Sequence, residues 1–189
     1  LCDQKKIVLI FDEVQTSPGR LGTVFGHQDF GVIPDIMTSA KALAGGMPMG
    51  VIMVRPELAP SLRPGTHAST FGGSPIACAA AKAVFDALEQ DGILENVRTA
   101  SAHFKARLEA MRDKGLGLRE IRVRGLMIGI DLDIPGAGVV RRCMDEGLLI
   151  NCTHGTILRM LPAYTVTSAE IDRGLDILEK CLANTPAGK

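Results

Sequence analysis

The residue with the clearest chemical potential is Lys41, at the centre of the stretch TSAKALAGGMPMG at Thr38–Gly50. Small residues flank this lysine, and no acidic residue lies closer along the chain than Asp35. A flat organic molecule can approach such a side chain. Desolvation lowers the pKa of a lysine, and the absence of a nearby carboxylate makes the neutral form easier to reach. The neutral amine can then form a Schiff base. The alternative is an exposed lysine at the start of a short helix, the usual situation for a lysine taken alone.

A strand-end acid is the second candidate. Asp12 follows the apolar run Ile7–Phe11, which predicts a central parallel strand buried on both faces. Ligands of open α/β sheets gather outside the carboxyl ends of the strands, so Asp12 is expected where an acid faces a ligand. The alternative is a solvated carboxylate in the loop after the strand.

A loop rich in hydroxyl groups and glycine is the third candidate. Ser69–Gly73 comes just before the run Ile76–Gln90, whose apolar residues recur at helical spacing. Ser74 is expected as the N-cap and Pro75 as the first helical residue. Hydroxyls and free backbone N–H groups before a helix suit a phosphate group, although an ordinary glycine-rich connector has the same composition.

Arg159 interrupts an apolar strand, between Leu158 and Met160. An arginine in this setting lies either at a sheet edge with its head in water, or desolvated and paired. Its guanidinium suits a carboxylate held by two hydrogen bonds, and no acidic partner is obvious nearby in the sequence. Both alternatives stay open at this point.

The elements that must position these residues form two groups, and we predict a domain boundary near residue 90, giving domains 1–90 and 91–189. Further strands are expected at Ile36–Ser39 and Gly50–Val54, and a second helix from Leu94 to Met111, ended by glycines. The remainder has an α+β pattern, with strands at Ile121–Arg124, Met127–Leu132, Leu148–Asn151 and Ile157–Leu161, and helices at Gly138–Glu146 and after a capping box at Thr167–Glu170.

Composition excludes several classes of function. Lys+Arg and Asp+Glu are both 21 and aromatic residues are scarce, which disfavours nucleic acid and anionic membranes as partners. Five scattered cysteines without a CxxC pair indicate reduced thiols in the cytoplasm, and the four histidines have no metal-ligand spacing. No apolar run reaches membrane-spanning length and no signal peptide is recognised. Without an initiator Met, and with a buried-type strand almost at its start, the chain is expected to be a piece of a longer protein.

The three candidates together match the needs of one cofactor, pyridoxal 5'-phosphate. An acid such as Asp12 keeps its pyridine nitrogen protonated, and the protonated ring is an electron sink for a carbanion. Lys41 would hold the aldehyde as an imine, and the loop Ser69–Gly73 would hold the phosphate.

Four separate segments resemble the class III (fold-type I) pyridoxal-phosphate-dependent aminotransferases, with the acetylornithine aminotransferases as the nearest branch: FDEVQTSPGRLG, PDIMTSAKALAGGMPMG, STFGGSPIACAAA and GLLINCTHGTILRMLPAYTVT. The resemblance implies an α/β fold, the C-terminal part of a fold-type I large domain followed by a small α+β domain. It also implies that the N-terminal half of the family is missing and that the isolated piece is inactive.

The resemblance assigns roles around the cofactor. Asp12 would contact the pyridine nitrogen, Val14 the ring face, and Gln15 the region of the phenolic oxygen. Lys41 would be the Schiff-base lysine and then the proton shuttle.

Other implied roles concern the phosphate and the substrate. Ser69 and Thr70 would reach the phosphate of the neighbouring subunit in a homodimer with shared active sites, and Arg159 would bind the substrate α-carboxylate. The sequence departs from the family at Ser17-Pro18 and at Ser74. Both positions are in turns, so the departures concern the shape of these loops and not the catalytic residues.

The activity implied is transamination of N-acetylornithine, or a similar ω-amino substrate, with 2-oxoglutarate in arginine biosynthesis. Ornithine, 4-aminobutyrate and succinylornithine aminotransferases and an aminomutase share these motifs and remain alternatives, as does a non-catalytic fragment that only folds and associates. A nucleotide-binding module is disfavoured because the glycine signatures are missing.

Overall fold

The computed structural model describes residues 1–184. Its helices are α1 (Cys2–Lys5), α2 (Pro75–Gln90), α3 (Ile93–Asp113), α4 (Ala137–Asp145) and α5 (Ser168–Ala183). Its strands are β1 (Ile10–Asp12), β2 (Ile36–Ser39), β3 (Val51–Val54), β4 (Leu118–Arg124), β5 (Met127–Leu132), β6 (Asn151–Thr153) and β7 (Ile157–Met160). Backbone contacts divide the chain into two compact units, Leu1–Leu94 and a second unit that begins at Glu95.

The first unit contains a three-stranded sheet in the order β1-β2-β3, in which β1 runs parallel to β2 and β3 runs antiparallel. The prediction that Ile7–Phe11 is a central strand buried on both faces is wrong for this sheet. Strand β1 covers only Ile10–Asp12 and lies at the edge, and the Ile10 side chain is 57% exposed. A central strand needs a hydrogen-bonded neighbour on each side, and among residues 1–184 only β2 pairs with β1.

Helix α2 begins as the sequence predicts, with Ser74 as N-cap and Pro75 in the first position, although the Ser74 side chain makes no capping hydrogen bond. Its buried face consists of Ala77, Ala81 and Leu88, while Ile76 is 70% exposed. The helical spacing in the sequence was that of Ile76, Ala80, Val84 and Leu88, and of these four only Leu88 is buried, so the packed face is rotated from the predicted one.

The second unit contains an antiparallel sheet in the order β4-β5-β7-β6. Alternate residues of its strands pack with the apolar faces of α3, α4 and α5 in one core, whose fully buried members include Leu108, Ile130, Val139, Leu158 and Leu175. The capping box at the start of α5 is confirmed, because Thr167 and Glu170 bond reciprocally. Strand β6 begins at Asn151, so the predicted strand Leu148–Asn151 is placed three residues too early.

Charged residues join α3 to α5 outside this core. Arg107 contacts Asp172 and reaches Asp176 at 2.7 Å, and His103 Nε2 lies 2.8 Å from Asp172 Oδ1. The hydrogen bond from His103, helped by Arg107, holds the pKa of Asp172 below its usual value. These contacts join two helices that both contribute residues to the core.

The cysteines are free thiols, in agreement with the absence of a disulfide pattern in the sequence. Cys143 on α4 and Cys181 on α5 are buried next to each other, and burial, with the neighbouring Cys181, raises the pKa of the Cys143 thiol to about 12.

Across residues 1–184, no His, Cys, Asp and Glu side chains group in a way that could hold a metal ion. None of the helices in that range combines the length and apolar character needed to cross a membrane.

Candidate active site

The carboxylate of Asp12 stands at the carboxyl edge of the two parallel strands. Asp12 lies opposite Thr38 in the ladder, and Thr38 Oγ1 donates a hydrogen bond to Asp12 Oδ1 at 3.1 Å. The backbone N–H of Val14 donates to the same oxygen at 3.0 Å. The side chain is exposed, and no residue within 1–184 bonds to Asp12 Oδ2. The carboxylate is therefore held in one orientation with one oxygen available to a ligand.

Lys41 lies at the same edge, because it follows the end of β2 at Ser39 by two residues. It begins a short 3₁₀ helix, Lys41–Ala44, and has a φ of 50°, which is uncommon for a residue other than glycine. The buried side chains of Leu43 and Ala44 anchor this turn. Lys41 itself is exposed and forms no ion pair with the described residues, so these residues do not supply the desolvation that the sequence led us to expect.

Glu13 is a site residue that sequence reasoning missed. Its side chain is 3% exposed, and its carboxylate accepts hydrogen bonds from the backbone N–H groups of Gly26 (2.5 Å) and His27 (2.6 Å) and from Thr16 Oγ1 (3.3 Å). Gly26 leaves room for this contact, since a Cβ there would lie 3.1 Å from Glu13 Oε2. Glu13 therefore closes the loop after β1, while its neighbour Asp12 faces outward.

A buried hydroxyl pair ties the same loop to β2. Ser17 Oγ lies 2.7 Å from Ser39 Oγ and donates to the carbonyl oxygen of Glu13 at 3.1 Å. Ser17 and Ser39 are both about 1% exposed, so this link is protected from water. It joins the loop after Asp12 to the last residue of the strand that leads to Lys41, and so fixes the two strand ends together.

We expect the variant Glu13→Gln to lower the free energy of unfolding by about 1–3 kcal/mol, because one backbone N–H of Gly26 or His27 would face an amide donor instead of an oxygen. Urea denaturation of the two proteins measures the difference. The matched control is Glu57→Gln, at an exposed glutamate of the same unit. Equal stabilities of both variants and the parent would show that Glu13 does not hold the loop.

The other residues predicted around the cofactor are also in the first unit. Val14 is half-buried and Gln15 exposed in the turn after β1, and Ser69 and Thr70 are exposed in the loop before α2. Ser69 lies against Gly72, where a Cβ would be 3.0 Å from the serine hydroxyl oxygen. The glycine thus lets the loop fold closely around Ser69. Contacts of these four residues with a cofactor stay predictions.

In the second unit, Arg159 lies on β7, which is paired on both sides, with Gly129 of β5 and Asn151 of β6 as its register partners. The alternative of an arginine on an edge strand is therefore wrong. Arg159 Nε is buried and has no hydrogen-bond partner among the described residues. A desolvated donor of this kind is costly unless a ligand or another group bonds to it.

Arg159 lines a cleft of about 430 Å³ within the second unit, between the strand ends and α5. Most of the lining is apolar, including Phe104, Leu149 and Ile171. The one acid of the lining, Glu170, already accepts hydrogen bonds from the backbone N–H and hydroxyl of Thr167 at 2.8 Å, and these bonds lower its pKa. The arginine is thus suited to the carboxylate of a partly apolar molecule.

Comparison with known proteins gives consistent similarities. A family model described as Aminotransferase class-III matches residues 1–182. The acetylornithine aminotransferase of Caldanaerobacter subterraneus subsp. tengcongensis is 44% identical over 184 residues, which are 97% of this chain and 47% of that protein.

Two solved structures show a similar fold. The acetylornithine aminotransferase of Elizabethkingia anophelis matches with a TM-score of 0.90 at 29% identity, over 97% of this chain and 47% of that one. The ornithine aminotransferase of Toxoplasma gondii also has a TM-score of 0.90, at 32% identity, over 96% of this chain and 44% of that one. The chain thus spans about half the length of the relatives that it matches.

Proposed function

This chain belongs to the class-III aminotransferases, and we propose that it supplies the catalytic lysine, the ring-facing acid and the carboxylate-binding arginine of a pyridoxal-phosphate-dependent aminotransferase. The observation that carries this proposal is the common edge of β1 and β2, where Asp12 is the last residue of β1 and Lys41 follows the end of the parallel strand β2. The Thr38–Asp12 hydrogen bond ties these two strand ends together.

The residues present at this edge fit pyridoxal 5'-phosphate. Asp12 offers an oriented carboxylate with a free oxygen, which suits a protonated ring nitrogen, and Lys41 offers an amine without a carboxylate partner among residues 1–184. When bound, this cofactor acts as an electron sink for a carbanion at the substrate Cα. Val14 and Gln15 would lie near the ring, and Ser69 and Thr70 near the phosphate of the neighbouring subunit in a homodimer.

The chemistry of this chain's own residues follows from these positions. Lys41 would hold the cofactor through its aldehyde group until an amino donor takes the place of the lysine. The amine of Lys41 would then act as general base and general acid in turn, moving the proton that leaves the substrate Cα. Arg159 holds the α-carboxylate of amino acid and 2-oxo acid alike, so that both half-reactions use one binding group.

The substrate that we propose is N-acetylornithine, or a similar ω-amino compound, with 2-oxoglutarate as acceptor in arginine biosynthesis in the cytoplasm. The support is the sequence similarity to acetylornithine aminotransferases. Similarity of the fold to an ornithine aminotransferase keeps ornithine as the alternative donor. A panel of N-acetylornithine, ornithine, succinylornithine and 4-aminobutyrate, each assayed with 2-oxoglutarate, tests this assignment. Turnover of 4-aminobutyrate alone would overturn it.

We expect Arg159→Lys to raise KM for the carboxylate substrates by about ten- to a hundredfold, because a lysine cannot form the bidentate contact. The change in kcat should be smaller. Steady-state kinetics in the active enzyme that contains this chain separates the two parameters. Unchanged KM values would remove Arg159 from the site.

A second candidate, a polypeptide that folds and associates without catalysis, has one observation in its favour. The first sheet leaves apolar residues exposed, among them Ile10 on β1 and Ile52 on β3. Such an uncovered surface suits association with another polypeptide segment. Mixing the chain of 189 residues with pyridoxal 5'-phosphate discriminates between the two candidates. A yellow protein with a cofactor covalently attached at Lys41 supports catalysis, and a colourless one supports association alone.

A further inference from the structure

A row of side chains crosses the second sheet through Arg159. Register pairs place Arg122 of β4, Gly129 of β5, Arg159 of β7 and Asn151 of β6 side by side. Register partners project from the same face of a sheet. Arg159 therefore has two lateral neighbours on its own face, and they differ sharply: Gly129 has no side chain, whereas Asn151 carries an amide.

Asn151 is the one neighbour in this row that can accept a hydrogen bond. Arg122 is itself a cation, and its Nη1 lies 3.3 Å from Glu120. Glu170, the acid that lines the same cleft, already accepts a hydrogen bond from the backbone N–H of Thr167. The Asn151 side chain forms no hydrogen bond with residues 1–184 and also lines the cleft.

The strand register suits a contact between the two residues. Side chains directly opposite each other in an antiparallel pair have Cβ atoms about 4.5–5.5 Å apart. The amide oxygen of Asn151 can therefore reach Arg159 Nε by side-chain rotation, without a movement of the strands. This contact would satisfy the buried donor that otherwise has no partner.

We propose that Asn151 is a positioning residue for Arg159, and this inference rests on the proposed function. Its amide oxygen accepts the Nε–H of Arg159, so that Nη1 and Nη2 together face the substrate carboxylate in an end-on fork. A guanidinium held in this way loses less side-chain freedom when the substrate binds. Asn151 thus contributes to affinity for the carboxylate and takes no part in proton transfer.

The test is a double-mutant cycle in the active enzyme that contains this chain. Asn151→Leu, similar in size but without an acceptor, is expected to raise KM for the carboxylate substrate about tenfold and to leave kcat within about twofold. In the Arg159→Lys background the same change should raise KM less than about twofold, because lysine has no Nε–H of this kind. Gly129→Ala is the matched control on the other flank, where a Cβ would have ordinary contacts at 3.7 Å, and it should leave both parameters within about twofold.

A second measurement does not depend on turnover. In ¹⁵N-labelled protein, the Nε–H signal that Arg159→Lys removes should be protected from exchange with water in the parent and should lose this protection in Asn151→Leu. An equal rise of KM in both arginine and lysine backgrounds, or unchanged Nε–H exchange, overturns the positioning role. Unchanged KM in Arg159→Lys alone refutes the proposed function instead, so the two failures are distinguishable.

Discussion

Replacement of Lys41 by alanine in the active enzyme that contains this chain is expected to reduce transamination by more than about a thousandfold, because it removes the one group proposed both to bind the cofactor covalently and to move the proton. The visible absorbance of covalently bound cofactor should disappear at the same time. Borohydride reduction followed by peptide mass analysis gives an independent readout, since only the parent should carry the added mass on the peptide that contains Lys41. Retained turnover in this variant would refute the assignment.

Two further variants separate chemistry from charge and folding. Lys41→Arg keeps a cation at the strand end but cannot form the covalent bond, so it should be as inactive as the alanine variant. Lys82→Ala removes an exposed lysine of the same unit, which pairs with Asp86 on the surface of α2. It should change the rate by less than about twofold. Loss of activity in Lys82→Ala as well would indicate general damage to the unit.

Local patterns predicted those elements whose stability is decided by neighbours in sequence. The capping box at Thr167–Glu170 and the helix predicted after it are both found in the structure, because cap hydrogen bonds and helix faces depend on residues within a few positions. The strand Ile36–Ser39 was also predicted with its observed bounds. These short-range rules apply whatever lies elsewhere in the molecule.

Other features depend on partners that a local pattern does not reveal. The run that contains β1 has the composition of a central strand, but its place in a sheet is set by which strands pair with it, and here that is β2 alone among residues 1–184. Ile76 is exposed because the smaller residues Ala77 and Ala81 form the packed side of α2. The spacing of Ile76, Ala80, Val84 and Leu88 had predicted a different face.

The candidate site also combines features that local sequence predicts with features that depend on distant residues. Strand-end positions predicted that Asp12 and Lys41 belong to one edge, but not which of two consecutive acids would turn inward. Alternation along a chain directs Asp12 and Glu13 to opposite sides, and the two N–H groups that bond to Glu13 lie more than ten residues away. For Arg159, the order of strands decided between alternatives that the sequence left open, because it gives β7 a neighbour on each side.

The role proposed for the ring-facing acid predicts that Asp12→Asn lowers kcat by at least about a hundredfold. Asparagine has nearly the same shape, and its amide oxygen can still accept hydrogen bonds from Val14 N and Thr38 Oγ1, so the fold should be preserved. What is lost is the negative charge that favours the protonated ring nitrogen. Stopped-flow measurement of each half-reaction should place the loss in proton removal from the substrate, with substrate affinity little changed.

A cofactor analogue with carbon in place of the ring nitrogen tests whether Asp12 acts through that nitrogen. With this analogue the parent and Asp12→Asn should react at equally low rates, because there is no ring proton for the carboxylate to hold. Thr38→Val removes one of the two hydrogen bonds that orient the carboxylate. It should lower kcat about tenfold with the natural cofactor and leave kcat unchanged with the analogue. A hundredfold difference between parent and Asp12→Asn that persists with the analogue would mean that the carboxylate serves the reaction, or the fold, by some other route than the ring.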